Sequence, residues 1–292
     1  RPRLNGVAIV QRPDPVWIID CGVDMPQDDF AMYEALYKHV ETYVKPERAK
    51  HRQQINREKW WIFERPRPEL RGATAKLPRF IATPQVAKHR LFTWVDPVFL
   101  CDVTTLAFAH SDEYFFGVLQ SRAHEVWALK LGTRLETRPR YTPTTCFETF
   151  PFPLGGSAGI LPASSKPDET SAPRQAIADA AKELNELRER WLNPPEWTRE
   201  EVLEFPGTPG GPWDRYIIPG TNTVRYPRLV PKDESCTKQL KKRTLTNLYN
   251  ERPAWLDHAH KKLDAAVFAS YGWSPSMSDP EILEALLALN LE

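Results

Sequence analysis

Closely spaced cysteines are absent from this chain of 292 residues. Its four cysteines are widely separated and form no C-x-x-C pair: Cys21, Cys101, Cys146 and Cys236. A structural zinc site needs ligands at short spacing, so this pattern argues against one. The one close histidine pair, His258 and His260, is better explained as the polar flank of a helix. We therefore expect reduced, structural thiols in a cytosolic protein and no bound metal.

Long apolar runs are also absent, since no stretch approaches the roughly 20 residues that cross a membrane. The first residues, RPRLNGVAIVQRPDP, lack the apolar core and small-residue cleavage site of a signal peptide. They also lack an initiator methionine and read like the interior of a longer polypeptide. The sequence therefore predicts a fragment or an excised domain with no membrane partner.

Sequence motifs for catalysis are missing as well. A cofactor-binding core needs a glycine-rich turn after a strand, but the glycine clusters here lie among prolines at 207–211 or in a linker-like segment at 155–156. No G-x-S-x-G occurs. The run NPPE at 193–196 resembles the Asn-Pro-Pro-aromatic motif of amino-methyltransferases, but it follows a helical pattern and places Glu196 where an aromatic ring must stack. We expect this chain alone to catalyse nothing.

Basic charge is abundant in one half of the chain. Residues 1–153 carry 22 Lys and Arg against 18 Asp and Glu, whereas residues 154–292 carry 17 against 20. Residues 38–90 alone hold 14 basic and 5 acidic side chains. Such a patch can neutralise several phosphates, and the aromatic residues interleaved with it can buttress or stack beside those contacts. An ordinary solvated surface is the alternative explanation.

The periodicity of apolar residues predicts an α+β fold. We expect a mixed β-sheet domain over residues 1–153, a linker over 154–174 and a small all-α region over 175–292. In the first domain, strands are expected at 7–10, 16–21, 79–83, 91–95 and 99–103. Helices are expected there at 28–44, 47–59 and 112–122. In the last region, helices are expected at 177–191, 236–250, 253–271 and 280–289, while 205–231 is expected to wrap a surface.

The stretch RLETRPRYTPTTCFETFPFP, residues 134–153, indicates a binding loop. Its prolines cannot occupy a helix interior or a central strand, and Phe147, Phe150 and Phe152 can anchor it. Polar and aromatic types that suit the reading of base edges stand before these anchors: Glu136, Arg138, Arg140 and Tyr141. A surface loop that is docked by its aromatics and reads nothing is the alternative.

Several stretches resemble one protein family in the same order. They are WIID at 17–20, WIFERPRPELR and RFIATP within 61–84, GVLQSRAHEVWAL at 117–129, 132–153, RTLTNLYNERPAW at 243–255 and LDAAVFASYGW at 263–273. The family is that of the large S-adenosylmethionine-dependent adenine-N6 DNA methyltransferases, which include type II restriction–modification enzymes and phage-defence (DISARM-like) methylases. The likeness falls on their target recognition domain and C-terminal helical region.

This resemblance implies sequence-specific recognition of double-stranded DNA. The family's catalytic domain would precede residue 1 and would be a partner in cis or in trans. No cofactor is therefore expected in this chain, whereas S-adenosylmethionine is implied for the parent enzyme. The alternative function is a protein-interaction or scaffolding module of a defence complex.

The resemblance also implies roles for individual residues. In the restriction-enzyme branch, two loop positions separated by one residue and followed by Arg-Tyr help to select a base pair; they match Glu136 and Arg138, ahead of Arg140 and Tyr141. Arginine pairs with guanine and glutamate accepts from cytosine, so the two suit one G·C pair. An ion pair within the loop is the alternative. Contacts to phosphate are expected from eight basic residues: Lys59, Arg65, Arg67, Arg71, Lys76, Arg79, Lys88 and Arg90.

Overall fold

The structure is a computed structural model that describes residues 1–136, 138–153, 156–157 and 172–291. Helices and small sheets alternate along it, which confirms the predicted α+β class. The helices are α1 (Gly6–Val10), α2 (Gln27–Ala31), α3 (Glu34–Tyr43), α4 (Lys45–Ala49), α5 (Gln54–Glu58), α6 (Pro68–Ala75), α7 (Glu113–Gln120), α8 (Arg122–Leu131), α9 (Ala172–Leu192), α10 (Glu234–Leu240), α11 (Leu245–Glu251), α12 (Ala254–Tyr271) and α13 (Asp279–Leu291). Within the described residues, none of them is long and apolar enough to span a bilayer.

The strands are short and form several separate sheets. They are β1 (Arg3–Leu4), β2 (Phe80–Pro84), β3 (Thr93–Val95), β4 (Leu100–Cys101), β5 (Thr105–Phe108), β6 (Thr133–Leu135), β7 (Arg138–Arg140), β8 (Pro151–Phe152), β9 (Gly156–Ser157), β10 (Thr198–Pro206) and β11 (Thr223–Pro231). Strands β3, β2 and β5 form an antiparallel sheet, in that order, within residues 1–153, which we call the first part of the chain. Strand β1 pairs with β4 in parallel. The pairs β6–β7, β8–β9 and β10–β11 are antiparallel.

Helix α7 connects the β3-β2-β5 sheet to the C-terminal helices. Every residue from Tyr114 to Gln120 is buried, and a helix that is apolar on all sides belongs in a core. At Gly117 an added Cβ would lie 2.8 Å from Cγ2 of Ile177 and 2.9 Å from Cβ of Ala181. A glycine is therefore required for α9 to approach α7 this closely.

One hydrophobic core extends across the predicted domain boundary. Ile81 and Phe92 from the first part share a buried cluster with Leu184, Leu263 and Leu286 from the second. The predicted linker lies mostly outside the described residues, and its last three residues belong to α9. The division into two domains therefore stays a prediction. All four cysteines are buried free thiols.

The N-terminal segments differ from the predicted elements. Residues 7–10 form part of helix α1 and not a strand, because the Oδ1 atom of Asn5 accepts a hydrogen bond from the backbone of Ala8 (2.7 Å) and caps a helical turn. The predicted strand at 16–21 is reduced to one bridge between Pro2 and Trp17. The two predicted helices at 28–44 and 47–59 are each divided into two shorter ones.

The C-terminal region is not all-α as predicted. Strands β10 and β11 pair over nine residues, from Thr198 opposite Pro231 to Pro206 opposite Thr223. Their burial alternates along the chain, as expected for a sheet with one solvated face. The prolines at the ends of this hairpin, and the prolines and glycines between its strands, concealed the strand pattern in the sequence.

Candidate nucleic-acid interface

The predicted base-reading residues lie on the β6–β7 hairpin. Its register pairs Thr133 with Arg140 and Leu135 with Arg138. Because side chains alternate across a strand, Arg138 and Arg140 project from the same face, about 7 Å apart along the chain. Both are exposed. Pro139 between them is tolerated because β7 is an edge strand.

Glu136 turns the chain at the tip of this hairpin. Its φ of 58° lies in the left-handed region, which few residues other than glycine adopt. Its Oε2 atom accepts a hydrogen bond from Nη2 of Arg138 at 3.2 Å, and the two side chains are 76% and 53% exposed. The ion pair named as the alternative explanation is thus present. Exposed pairs of this kind contribute about 0–1 kcal/mol, so it can open at little cost when a base edge offers other partners.

Tyr141 follows directly on β7 but points into the protein. It is 1% exposed, and its hydroxyl lies 3.0 Å from Nε2 of His124. Nδ1 of His124 lies 2.9 Å from the carbonyl oxygen of Leu119; a carbonyl only accepts, so Nδ1 carries the proton and the Tyr141 hydroxyl donates to Nε2. Burial lowers the pKa of His124 to about 3 and raises that of Tyr141. The prediction that Tyr141 contacts a base is therefore wrong.

Arg90 is buried beside Tyr141 and cannot contact a phosphate. Its Nη1 atom donates to Oγ1 of Thr83 (2.9 Å) and to the carbonyl oxygen of Pro84 (2.6 Å), and Nη2 donates to that of Pro139 at 3.4 Å. Its guanidinium lies 5.0 Å from the centre of the Tyr141 ring. Burial lowers the pKa of Arg90 to about 10, which leaves it charged at neutral pH. This correction gives Arg90 a structural role, because it ties β2 to β7.

Gly132 completes what we call the hairpin root, which consists of Arg90, His124, Gly132 and Tyr141. A Cβ at Gly132 would lie 2.6 Å from the carbonyl oxygen of Ala128 and 2.7 Å from that of Arg140. The end of α8 and the end of β7 therefore meet over this glycine. The backbone N–H of Tyr141 also donates to the carbonyl oxygen of Gln85 at 2.8 Å. The root is thus held by contacts among three places in the chain: helix α8, the end of β7 and the residues that follow β2.

Two further predicted phosphate contacts are occupied by internal carboxylates. Arg71 donates two hydrogen bonds of 2.8 Å to the carboxylate of Asp20. Burial alone would raise the pKa of Asp20, but hydrogen bonding and charge from Arg71 outweigh it, so that this pKa is lowered. Arg79 pairs with Glu113 at 2.6 Å and stacks 3.7 Å from the centre of the Trp94 ring. The charges of Arg71 and Arg79 are neutralised, so both leave the set of phosphate contacts.

The other predicted phosphate contacts remain accessible. Lys59, Arg65, Lys76 and Lys88 are exposed, and Arg67 is half-buried. Lys88 lies near the reading hairpin, because the neighbouring Val86 forms a bridge with Arg140, and its Nζ donates to Oδ1 of Asn250 at 2.6 Å.

Two residues with structural contacts, His124 and Arg215, are not marked by any local pattern that predicts those contacts. His124 bonds to Tyr141, 17 residues further along the chain, and Arg215 bonds to carbonyl groups more than 130 residues away. No local pattern marks contacts at these separations. A histidine inside an apolar run was the available signal for His124.

Comparisons with known proteins found similarities in sequence and in fold. Residues 47–154 match the family model described as the MmeI target recognition domain. DNA methyltransferase A of Bacillus subtilis (strain 168) is 28% identical over 181 residues, which cover 61% of this chain and 13% of that protein. The structure of the type IIL restriction-modification enzyme MmeI, solved in complex with DNA, superposes on 100% of this chain and 30% of its own with a TM-score of 0.62 and 17% identity.

Residues 47–154 are therefore similar to a target recognition domain. This match, together with the DNA methyltransferase relative, confirms the resemblance drawn from the sequence. At 17% identity, the structural likeness shows a shared fold. The chain spans less than a third of the length of either relative.

Proposed function

We propose that this chain is the sequence-specific, double-stranded DNA recognition module of an adenine-N6 DNA methyltransferase in a restriction–modification or phage-defence system. One observation carries the proposal: Arg138 and Arg140 share an exposed face of a hairpin whose root is buried and hydrogen-bonded. A side chain that discriminates between bases must be held in position, and the root restricts how the hairpin moves.

The reading chemistry follows from the residue types at the tip. Arginine can donate two hydrogen bonds to O6 and N7 of guanine, and glutamate can accept one from N4 of cytosine. Glu136 and Arg138 lie within 3.2 Å of each other, so both can reach the two bases of one G·C pair. A good bidentate contact contributes about 1–3 kcal/mol of discrimination. Arg140 extends the same face toward a neighbouring base pair.

Phosphate contacts would orient the duplex on this face without specifying its sequence. Lys59, Arg65, Arg67, Lys76 and Lys88 are the accessible basic residues proposed for this role. Methyl transfer from S-adenosylmethionine belongs, in this proposal, to a catalytic domain of the parent enzyme. That domain would hold the other side of the DNA and raise the affinity of the whole protein above that of this module.

A binding assay over a salt series tests the proposal. The chain is mixed at about 50 mM salt with a pool of duplexes of random sequence, and binding is followed by fluorescence anisotropy. With about five phosphate contacts, affinity should fall roughly five-hundredfold by about 200 mM salt, because each contact releases counterions. Absence of binding at every salt concentration would overturn the proposal and favour the protein-interaction module.

A further inference from the structure

A large cavity lies on the basic part of the molecule, away from the reading hairpin. Its volume is about 850 Å³, and its walls come from α6, the segment 63–67, strands β1 and β4, and the turn at 211–215. Ligand-binding pockets usually measure about 300–1,000 Å³. Phe80, at the first residue of β2, lies in its wall, whereas the segment after β2 contacts the hairpin through Val86. The cavity and the hairpin are thus separated by about the length of β2, roughly 16 Å.

Cations without internal partners surround the cavity. Within the described part of the chain, Arg3, Arg65, Arg67 and Lys76 form no ion pair and no side-chain hydrogen bond. Arg215, by contrast, donates to the carbonyl oxygens of Leu77 and Pro78. Four positive charges that face one cavity repel each other, and an anion placed among them relieves that repulsion.

The acidic residues of the cavity wall are too few to neutralise its cations, since three carboxylates line it together with eight Arg and Lys side chains. Glu64 lies 3.5 Å from Nε2 of His51. Asp102 accepts hydrogen bonds from the backbone and hydroxyl of Thr104 (2.9 and 2.6 Å). Asp214 accepts one from the backbone of Gly210 at 2.9 Å. The cavity therefore keeps an excess of positive charge.

Apolar side chains form much of the remaining wall. Leu70, Phe99 and Leu100 lie beside Phe80 in it, and Phe63 stands at the rim with 37% of its surface exposed. A site for phosphate alone needs no apolar wall. An exposed aromatic ring next to unpaired cations is the combination with which proteins hold single nucleotides, the base stacking on the ring while the phosphate meets the cations.

We propose that this cavity binds a nucleoside phosphate, with its phosphate among Arg65, Arg67 and Lys76 and its base against Phe63. Two kinds of ligand present a nucleoside phosphate: a free nucleotide, and an unpaired nucleotide within a DNA strand. The proposal does not depend on the reading of bases by the hairpin, since the cavity and the hairpin share no residue. Arg65, Arg67 and Lys76 are also among the proposed duplex phosphate contacts, so nucleotide binding is measured without duplex DNA present.

Isothermal titration calorimetry of the chain tests this site with three probes: thymidine 5′-monophosphate, inorganic phosphate and a four-nucleotide single strand of thymidine. The expected result is binding of the nucleotide at one site, at least about tenfold tighter than binding of inorganic phosphate. A single strand that binds more tightly than the mononucleotide identifies the strand as the source, and equal affinity identifies the free nucleotide. Absence of nucleotide binding, or equal affinity for nucleotide and phosphate, overturns the proposal.

Two variants separate the two parts of the site. Arg65→Gln combined with Lys76→Gln should weaken both nucleotide and phosphate about tenfold. Phe63→Ala should weaken the nucleotide about fivefold or more, at the lower end of base–aromatic stacking, and leave phosphate unchanged. Phe63→Leu keeps the apolar volume but removes the aromatic ring, so it is the control for a folding defect. It should also weaken binding of the nucleotide and leave binding of phosphate unchanged.

The matched controls are Arg190→Gln, an exposed position on α9, and Arg138→Ala at the hairpin tip. Neither should change nucleotide binding. If Arg190→Gln weakens it as much as the cavity variants do, the interaction is unspecific and the proposal is wrong. Because Arg138→Ala addresses duplex reading alone, a failure of the duplex proposal and a failure of this one give different patterns.

Discussion

The tip and the root of the β6–β7 hairpin contain similar residues in opposite surroundings. At the tip, the exposed Arg138 has one weak ion pair with Glu136. At the root, Arg90 is 5% exposed and donates to Thr83, Pro84 and Pro139. Arg140 and Tyr141 are adjacent in the chain, yet the first is exposed and the second is buried.

This difference separates recognition from stability. Exposed charges at the tip contribute little to the folded state, so they can be exchanged without unfolding the protein. Buried polar groups at the root cost much to disrupt, because a lost partner leaves a desolvated donor or acceptor behind. Changes at the tip should therefore alter sequence preference and leave stability intact, whereas changes at the root should lower stability.

The largest expected effect is that of Tyr141→Ala. Truncation of a buried aromatic residue leaves a cavity and costs about 3–5 kcal/mol, and here it also removes the partner of Nε2 of His124. Urea denaturation should show this loss of unfolding free energy. Tyr141→Phe, which removes only the hydroxyl, should cost about 1–3 kcal/mol. Arg138→Ala at the tip is the control and should stay within about 0.5 kcal/mol of the parent; equal losses for Tyr141→Ala and Arg138→Ala would contradict the comparison.

The second-largest expected effect is the change in unfolding free energy with pH that His124 in the root causes. Burial lowers the pKa of His124 to about 3, well below the value of about 6.5 in an unfolded chain. Between these two values the unfolded state binds the proton and the folded state does not, so stability falls as pH falls. From pH 7 to pH 5, the parent should lose about 2 kcal/mol more than His124→Gln does.

Other titrating groups act equally in the parent and in His124→Gln, so the difference between their denaturation curves isolates His124. Burial also lowers the pKa of His260 to about 3 and raises that of Asp264 to about 6, and both groups cancel in this comparison. Parallel loss of stability in the two proteins would show that His124 is protonated in the folded state.

The smallest expected effect belongs to single phosphate contacts. Lys59→Ala should weaken binding to all duplexes alike and lower the slope of log K against log salt by about one unit. Arg79→Ala should leave that slope unchanged, because Glu113 already neutralises Arg79. Salt titrations of the two variants measure both slopes. If the salt slope decreases equally in Lys59→Ala and Arg79→Ala, an internal ion pair does not prevent a basic side chain from contacting DNA phosphates.

Part of this architecture followed from local sequence. Asp112 caps α7 as predicted, since its Oδ1 atom accepts from the backbone of Phe115 at 2.8 Å. The predicted apolar stripe of α9 is buried at Ile177 and Leu184. Strand β2 lies within one residue of its predicted position. Caps and periodicity are local properties, so they can be read without knowledge of the tertiary structure.

The remainder depends on contacts between distant residues. Arg71 donates hydrogen bonds to Asp20, which lies 51 residues away in the sequence. The type of a basic residue does not reveal whether its side chain already has an acidic partner. The same holds for Tyr141, whose burial depends on His124 and Arg90. At the tip, the exposure of Glu136, Arg138 and Arg140 agrees with the pattern of a polar turn, and their contacts with bases stay a prediction.

The central claim is tested most directly by the sequence that the parent enzyme modifies. In the intact polypeptide, Glu136→Lys combined with Arg138→Asp reverses the charges at the tip, and sequencing of methylated bases across a genome reads the recognised site. We expect a changed base preference at one position of that site, with the other positions and the thermal stability of the protein retained. A recognised sequence identical to that of the parent would contradict it.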